Sequence, residues 1–169
     1  MKKRLFIALS LGLGFAHAAC AQATASAGIG ATIVVPINLA KTSDMNFGMI
    51  AAAQVPGAVE LGPGGARSAS NGVNLPSAGG SVSAASFVVS GESNYTYSIT
   101  LPPSAVLTRQ AGMETMTVTN FQSVPSQTGT LSAQGVQVLN VGARLMVGPQ
   151  QAVGAYETDS PFEVVVNYN

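Results

Sequence analysis

The stretch Ser86-Phe87-Val88-Val89-Ser90, Gly91-Glu92-Ser93-Asn94, Tyr95-Thr96-Tyr97-Ser98-Ile99-Thr100-Leu101, Pro102-Pro103 decides the fold class. Successive side chains of a strand point to opposite faces. Tyr95, Tyr97, Ile99 and Leu101 therefore share one face, and Thr96, Ser98 and Thr100 share the other. Ser86 to Ser90 reads as a compact core strand. Gly91 to Asn94 carries turn chemistry between the two runs. Pro102-Pro103 ends the second run, because proline brings no backbone N–H to a ladder.

The same short, punctuated pattern extends in both directions. Upstream, Ile33, Val35, Ile37 and Leu39 share one face of an alternating run. Pro36 falls on the other parity and marks this run as an edge strand, or one with a side initially unpaired. Lys41 to Asp44 reads as a turn, and Met45 to Ile50 as a short strand. Ala51 to Gly80 is rich in Gly, Ala, Ser and Pro, with Val59-Glu60-Leu61 and Val73-Asn74-Leu75 as short strands. Gly62-Pro63-Gly64-Gly65 and Asn71-Gly72 are turn signals, the second suited to a two-residue hairpin.

Downstream, Met116 to Thr119 and Phe121 form a strand, and turns recur at Pro125 to Gly129 and at Gln134-Gly135. Leu139, Val141, Ala143, Leu145 and Val147 make the next apolar face, with Gly142 as a bulge. Gly148-Pro149 closes it. The last run is Phe162-Glu163-Val164-Val165-Val166-Asn167-Tyr168-Asn169. Phe162, Val164, Val166 and Tyr168 share its apolar face, and so apolar a strand is expected to be paired on both sides. A helical period is almost absent. The chain reads as all-β, an antiparallel β-sandwich.

The first residues follow a different logic. Met1-Lys2-Lys3-Arg4 is a positive segment, Leu5 to Phe15 is apolar, and Ala-x-Ala sites follow, ending at Ala21-Gln22-Ala23. This is the pattern of a secretory signal peptide over residues 1–23, too short to span a membrane. Residues 24–169 then form a single β-sandwich domain. Cys20 raises lipidation as an alternative, although His17 stands where a lipobox wants Leu.

Cleavage after Ala23 removes the only Cys and the only His. It leaves Lys41, Arg67, Arg109 and Arg144 against Asp44, Glu60, Glu92, Glu114, Glu157, Asp159 and Glu163. Such a chain lacks the clustered basic surface of a nucleic-acid binder. It offers no Cys nucleophile, no Ser-His-Asp triad and no zinc site of the usual His and Cys ligands. The carboxylates are scattered singly, without a motif. Asp44, Glu157 and Asp159 fall short of the oxygen ligands calcium takes, and read as solvated loop charges. Tyr95 and Tyr97 read as core residues rather than as a sugar-stacking face. Asn94-Tyr95-Thr96 is a formal glycosylation sequon, given little weight behind a bacterial signal peptide. No cofactor is expected.

Three pieces of the chain resemble a known family. They are the opening alternating run with Lys41-Thr42-Ser43-Asp44-Met45-Asn46-Phe47-Gly48, then Met116 to Phe121 with Gly129-Thr130-Leu131-Ser132, and then Val141 to Gly148 with Gly154-Ala155-Tyr156 and Phe162 to Asn169. In order and spacing they resemble the bacterial domain-of-unknown-function family 4402. Asn46-Phe47-Gly48 and Gly154-x-Tyr156 also resemble spore coat U domain pilins of archaic chaperone–usher systems.

The pilin resemblance implies an immunoglobulin-like sandwich lacking one strand. A periplasmic chaperone lends that strand, and in the fibre the N-terminal extension of the next subunit replaces it. It further implies that Phe162, Val164, Val166 and the penultimate Tyr168 form the C-terminal strand that pairs with chaperone or subunit. Ile33, Val35, Ile37 and Leu39 are the candidate donor or edge strand. The chain departs from such pilins in having no Cys after residue 23, and in a segment Thr24 to Ala31 whose only large apolar residue is Ile29.

The expected function is a non-enzymatic secreted structural or adhesive surface protein, a pilus or fimbrial subunit assembled by donor-strand exchange. The alternative is a monomeric secreted β-sandwich module binding carbohydrate or matrix. The expected partners are chaperone, usher and like subunits, with no nucleic acid and no membrane span after signal cleavage. The expected location is the periplasm in transit, then the surface or exterior of a Gram-negative bacterium. An open outer edge on the terminal strand favours strand exchange. Pairing of that edge with Ile33 to Leu39 in the same chain favours the module.

Overall fold

A computed structural model describes residues 22–78 and 80–169. The expected signal segment, with Cys20, lies outside the described residues except for Gln22 and Ala23. Contacts divide the chain between Thr32 and Ile33. In the first unit, residues 22–32 are exposed and carry no regular structure.

The second unit holds the eleven strands β1 (Asn38–Ser43), β2 (Ala51–Leu61), β3 (Arg67–Asn74), β4 (Ala85–Ser90), β5 (Thr96–Thr100), β6 (Ser104–Arg109), β7 (Thr115–Val124), β8 (Thr128–Thr130), β9 (Val136–Val147), β10 (Tyr156–Glu157) and β11 (Val165–Tyr168). The larger sheet runs β1-β4-β9-β7-β6-β10, with β2 also on β9 and β3 on β2. The smaller sheet runs β11-β5-β8. Every strand pairing is antiparallel. The molecule is the all-β antiparallel sandwich that the alternating runs imply.

The organising strand is β9. Leu139, Val141, Ala143, Leu145 and Val147 are all buried on its inner face. Fully burying a Val or Leu side chain stabilises by roughly 1.5–3 kcal/mol, so this one strand contributes heavily to the core. Along one edge its first half pairs with β4, from Val136 to Val141, and its second half with β2, from Ala143 to Val147. The exchange of partners falls at Gly142, where a Cβ would stand 2.1 Å from the Leu61 carbonyl oxygen. Only a residue without a side chain lets the end of β2 come so close. The bulge expected at Gly142 lies opposite, on β7. There Asn120 and Phe121 face Ala143 alone, and Asn120 takes a left-handed φ of 50°. The extra residue reverses the parity of β7, so Val118 and Phe121 both point inward.

Two core clusters meet under β9. Phe47, Val59, Leu61, Val118 and Leu145 belong to one, and Phe87, Val89, Tyr97, Leu131 and Leu139 to the other. Met45 and Phe121 pack against both. The smaller sheet covers the second cluster with Tyr97 of β5 and the inward residues of β11. The turn Gly91 to Asn94 thus carries the chain from one sheet to the other.

Several expectations are corrected. Ile33 to Ile37 is not a strand; the first strand begins at Asn38. Asn38 pairs with Ser90, the last residue of β4, and Gly91 N–H turns away to the Gly135 carbonyl. The ladder therefore has no partner left for the preceding residues. Lys41 to Ser43 belongs to β1, with an irregularity there, and is not a turn. Met45 to Ile50 carries only a single bridge, Asn46 to Ser83.

Asn71-Gly72 is not a hairpin turn but lies inside β3, where Asn71 (φ 51°) pairs with Gly57. The hairpin turns instead at Gly62 to Gly65, closed by Gly65 N–H to the Gly62 carbonyl at 2.9 Å. The stretch Ala51 to Asn74 is a long β2–β3 hairpin rather than two short strands. Strand β6 follows Pro102-Pro103 unforeseen, and β8 begins inside the turn expected at Pro125 to Gly129 and runs one residue past it. Tyr97 is fully buried, whereas Tyr95 is 44% exposed.

Candidate functional site: open sheet edges and a clamped segment

The terminal strand β11 pairs with β5 alone, from Val165 opposite Thr100 to Tyr168 opposite Tyr97. Among the described residues no strand pairs with its outer edge, contrary to the expectation of pairing on both sides. Its inward residues are nonetheless seated. Phe162 meets Phe87 edge-on at 6.5 Å and Phe121 at 5.1 Å between ring centroids. Val164 and Val166 pack on the same cluster. Tyr168 stands edge-on to Tyr95 at 5.6 Å. A four-residue edge is thus presented with its two inward side chains, Val166 and Tyr168, already seated on the core, while Val165 and Asn167 face away from it.

Tyr168 ends this edge in a three-residue clamp. Its hydroxyl accepts the Glu92 backbone N–H at 2.6 Å and donates to the Val35 carbonyl at 2.8 Å. The Glu92 carboxylate accepts the Val35 N–H at 2.9 Å. Both backbone groups of Val35 are therefore held by side chains, where a strand would hold them by a neighbour's backbone. Gly91 makes the approach possible, since a Cβ there would lie 2.1 Å from the Tyr168 hydroxyl oxygen.

The candidate donor or edge residues are divided by this arrangement. Ile33 and Val35 are exposed, at 96% and 54%. Ile37 and Leu39 pack against the cluster that holds Tyr168. The segment crosses to Tyr168 without forming a ladder on β11. Sequence reasoning missed Glu92 and Gly91. The available signal was a single carboxylate in a turn joining two apolar runs.

Tyr97, behind the edge, donates from its hydroxyl to Gln137 Oε1 at 2.7 Å, and the same oxygen accepts Thr130 N–H at 3.0 Å. Burial raises the pKa of the Tyr97 phenol above its ordinary 10.0 by disfavouring the charged phenolate.

A second open edge lies on the larger sheet. β10 pairs with β6 only at Arg109 and Thr108. Ser104 to Leu107 pair with β7 and with nothing on their other side among the described residues. A cleft of about 480 Å³ opens there between Ser104, Ala105 and Val106 on one wall and Asp159 to Glu163 on the other. Asp159 accepts a hydrogen bond from Thr108 at 2.9 Å.

The other carboxylates are dispersed. Asp44 pairs with Lys41 at 2.5 Å, Glu114 with Arg109 at 2.6 Å, and Glu60 approaches Arg144 at 3.9 Å. The Arg109 hydrogen bond holds the Glu114 carboxyl below its ordinary pKa. Among the described residues no three His, Cys, Asp or Glu side chains gather as a metal site, and no helix is long and apolar enough to cross a membrane.

No curated protein and no solved structure matches this chain. One family model does, described as "Domain of unknown function (DUF4402)", over residues 37–168. The match opens at Ile37, where the chain enters the core, and closes at Tyr168, the residue of the clamp. Spanning nearly the whole sandwich in this way, it makes the chain a member of the DUF4402 family.

Proposed function

We propose that the chain is a non-enzymatic structural or adhesive protein of the bacterial surface, whose subunits join by adding a strand to the outer edge of β11. One observation carries this reading: β11 seats its alternate side chains, Val166 and Tyr168, half-buried against the core, but among the described residues it pairs on one side only. Such an edge is a template for another chain. Backbone hydrogen bonds supply affinity, and pockets for alternate side chains supply specificity. By analogy with spore coat U pilins, the chain is secreted behind its signal peptide. A periplasmic chaperone covers the edge, and an usher hands it to a like subunit.

The clamp favours a second reading. With Val35 tied to Glu92 and Tyr168 of its own chain, the segment before β1 is anchored at home, as in a monomeric module binding carbohydrate or matrix.

Gel electrophoresis of unboiled and boiled protein, released from the surface of producing cells, separates the two. Strand exchange predicts a ladder of multiples in the unboiled lane that collapses to one monomer band on boiling. A single monomer band in both lanes overturns it and leaves the module.

A further inference from the structure

Among the described residues, and besides the edge of β3, which pairs only with β2, the larger sheet has two free ends of unlike character. One is β1, paired only with β4. It carries Lys41, the only lysine beyond the Met1 to Arg4 segment. Lys41 lies opposite Phe87, an inward-facing residue, which places it on the core side of the sheet. Its side chain is nevertheless 57% exposed, because β1 is the last strand. Its partner Asp44 is 79% exposed. Exposed pairs of this kind contribute little and exchange readily.

The other end is the stretch Ser104 to Leu107 of β6, beyond the two residues covered by β10. Four extended residues span about 13 Å, and β1 presents six. The cleft beside this stretch is open, with Asp159 and Glu163 among its lining residues and no basic side chain there. Its lining includes Ala105 and Phe162, which both pack against the core, so it reaches the core side of the sheet, the side that carries Lys41 at the far end.

We infer that the β1 edge of a second copy docks antiparallel along Ser104 to Leu107, with its Lys41 entering the cleft between Asp159 and Glu163. The contact continues one sheet into the next. Because it joins two different surfaces, each copy keeps one free end of each kind, and the assembly grows head to tail instead of closing as a two-fold dimer. It uses the larger sheet and is independent of strand addition at β11.

The test is sedimentation of the chain, as producing cells release it, over stepped concentration and salt. Three samples are compared with the wild type: Lys41→Glu, Asp159→Lys with Glu163→Lys, and an equimolar mixture of these two variants. The substituted side chains are exposed, and circular dichroism checks that each variant keeps the sheet signal. Wild type is expected to associate, less so at high salt. Each variant alone is expected to weaken association by about tenfold or more, since like charges face each other across the contact. The mixture restores association with the two variants alternating along the assembly, because both junctions between unlike variants bring opposite charges together, and only contacts between identical variants remain repulsive.

Zero-length carbodiimide coupling of mixed ¹⁴N and ¹⁵N protein then joins Lys41 of one copy to Asp159 or Glu163 of another. A wild type that stays monomeric, variants that associate as wild type does, a mixture that fails to recover, or coupling of Lys41 to Asp44 alone each overturns the inference. The boiling-sensitive ladder at β11 is expected to survive Lys41→Glu, so the two contacts fail separately.

Discussion

The hydroxyl of Tyr168 holds the carbonyl of Val35 at 2.8 Å, across 133 positions of sequence. The same oxygen receives the Glu92 N–H. One phenol thus fixes the end of the terminal strand, the turn between the sheets and the segment that leads into β1.

Tyr168→Phe keeps the ring and deletes these two hydrogen bonds. Net hydrogen bonds contribute about 0.5–1.5 kcal/mol each, and more where a partner is left buried and unpaired. A loss of about 1–2 kcal/mol is expected in urea unfolding. Hydrogen exchange at Val35 and Glu92 is expected to accelerate while the amides of β9 stay protected. Unchanged exchange at both residues would show that the clamp does not hold in solution.

Gly91→Ala places a methyl against the Tyr168 hydroxyl. Overpacking of this kind costs about 1–3 kcal/mol. Combined with Tyr168→Phe, the cost is expected to be less than the sum of the two single changes, because the clashing oxygen has gone. A double-mutant cycle measures the difference. Strict additivity would mean that residues 91 and 168 do not touch.

Tyr97 supplies a pH prediction. Its phenol pKa is raised by burial, so the folded state holds that proton more tightly than the unfolded chain does. The stabilisation is complete below the ordinary value of 10.0 and is lost as pH rises through the higher folded value. Spectrophotometric titration is expected to find one tyrosine ionising last, together with alkaline unfolding. In Tyr97→Phe that late, coupled step disappears. If all tyrosines ionise together while the sheet signal persists, Tyr97 is not buried as described.

Arg67 reaches from the start of β3 to donate to the Phe47 carbonyl at 2.5 Å and the Met49 carbonyl at 2.9 Å. It pins an irregular segment whose Phe47 side chain belongs to the core. Hydrogen bonds from a charged donor contribute about 1.5–3 kcal/mol, reduced here by partial exposure. Arg67→Met keeps most of the stem and is expected to cost about 1–2 kcal/mol in urea unfolding. Cost-free replacement would mean that Phe47 is held by packing alone.

These residues also show what a sequence reveals and what it hides. β4, β5, β9 and the inner face of β11 are legible because large apolar residues alternate with polar ones along them. β2 and β3 are not. Their stretch is rich in Ala, Ser and Gly, and Gly72 sits where a Cβ would meet the Val55 carbonyl at 1.9 Å. Backbone proximity of that kind leaves no hydrophobic pattern.

Ile33 to Ile37 misleads in the opposite sense. It alternates well, yet β4 ends before it can pair. Alternation reports a residue's preference for a pleated surface, but a strand also needs a neighbour. The candidate site divides along the same line. Phe162, Val164, Val166 and Tyr168 announce their shared face in sequence. Glu92 gains its role only from tertiary neighbours distant in the chain.

One consequence of β9 concerns how the molecule comes apart. Its first half floors one cluster and its second half the other, with the change of partners at Gly142. Melting either half would fray the strand on which the other is built. The two cores are therefore bound to a single cooperative transition, one stability shared between them, and a lesion in the β2–β3 hairpin is felt at the far end, where β11 offers its edge.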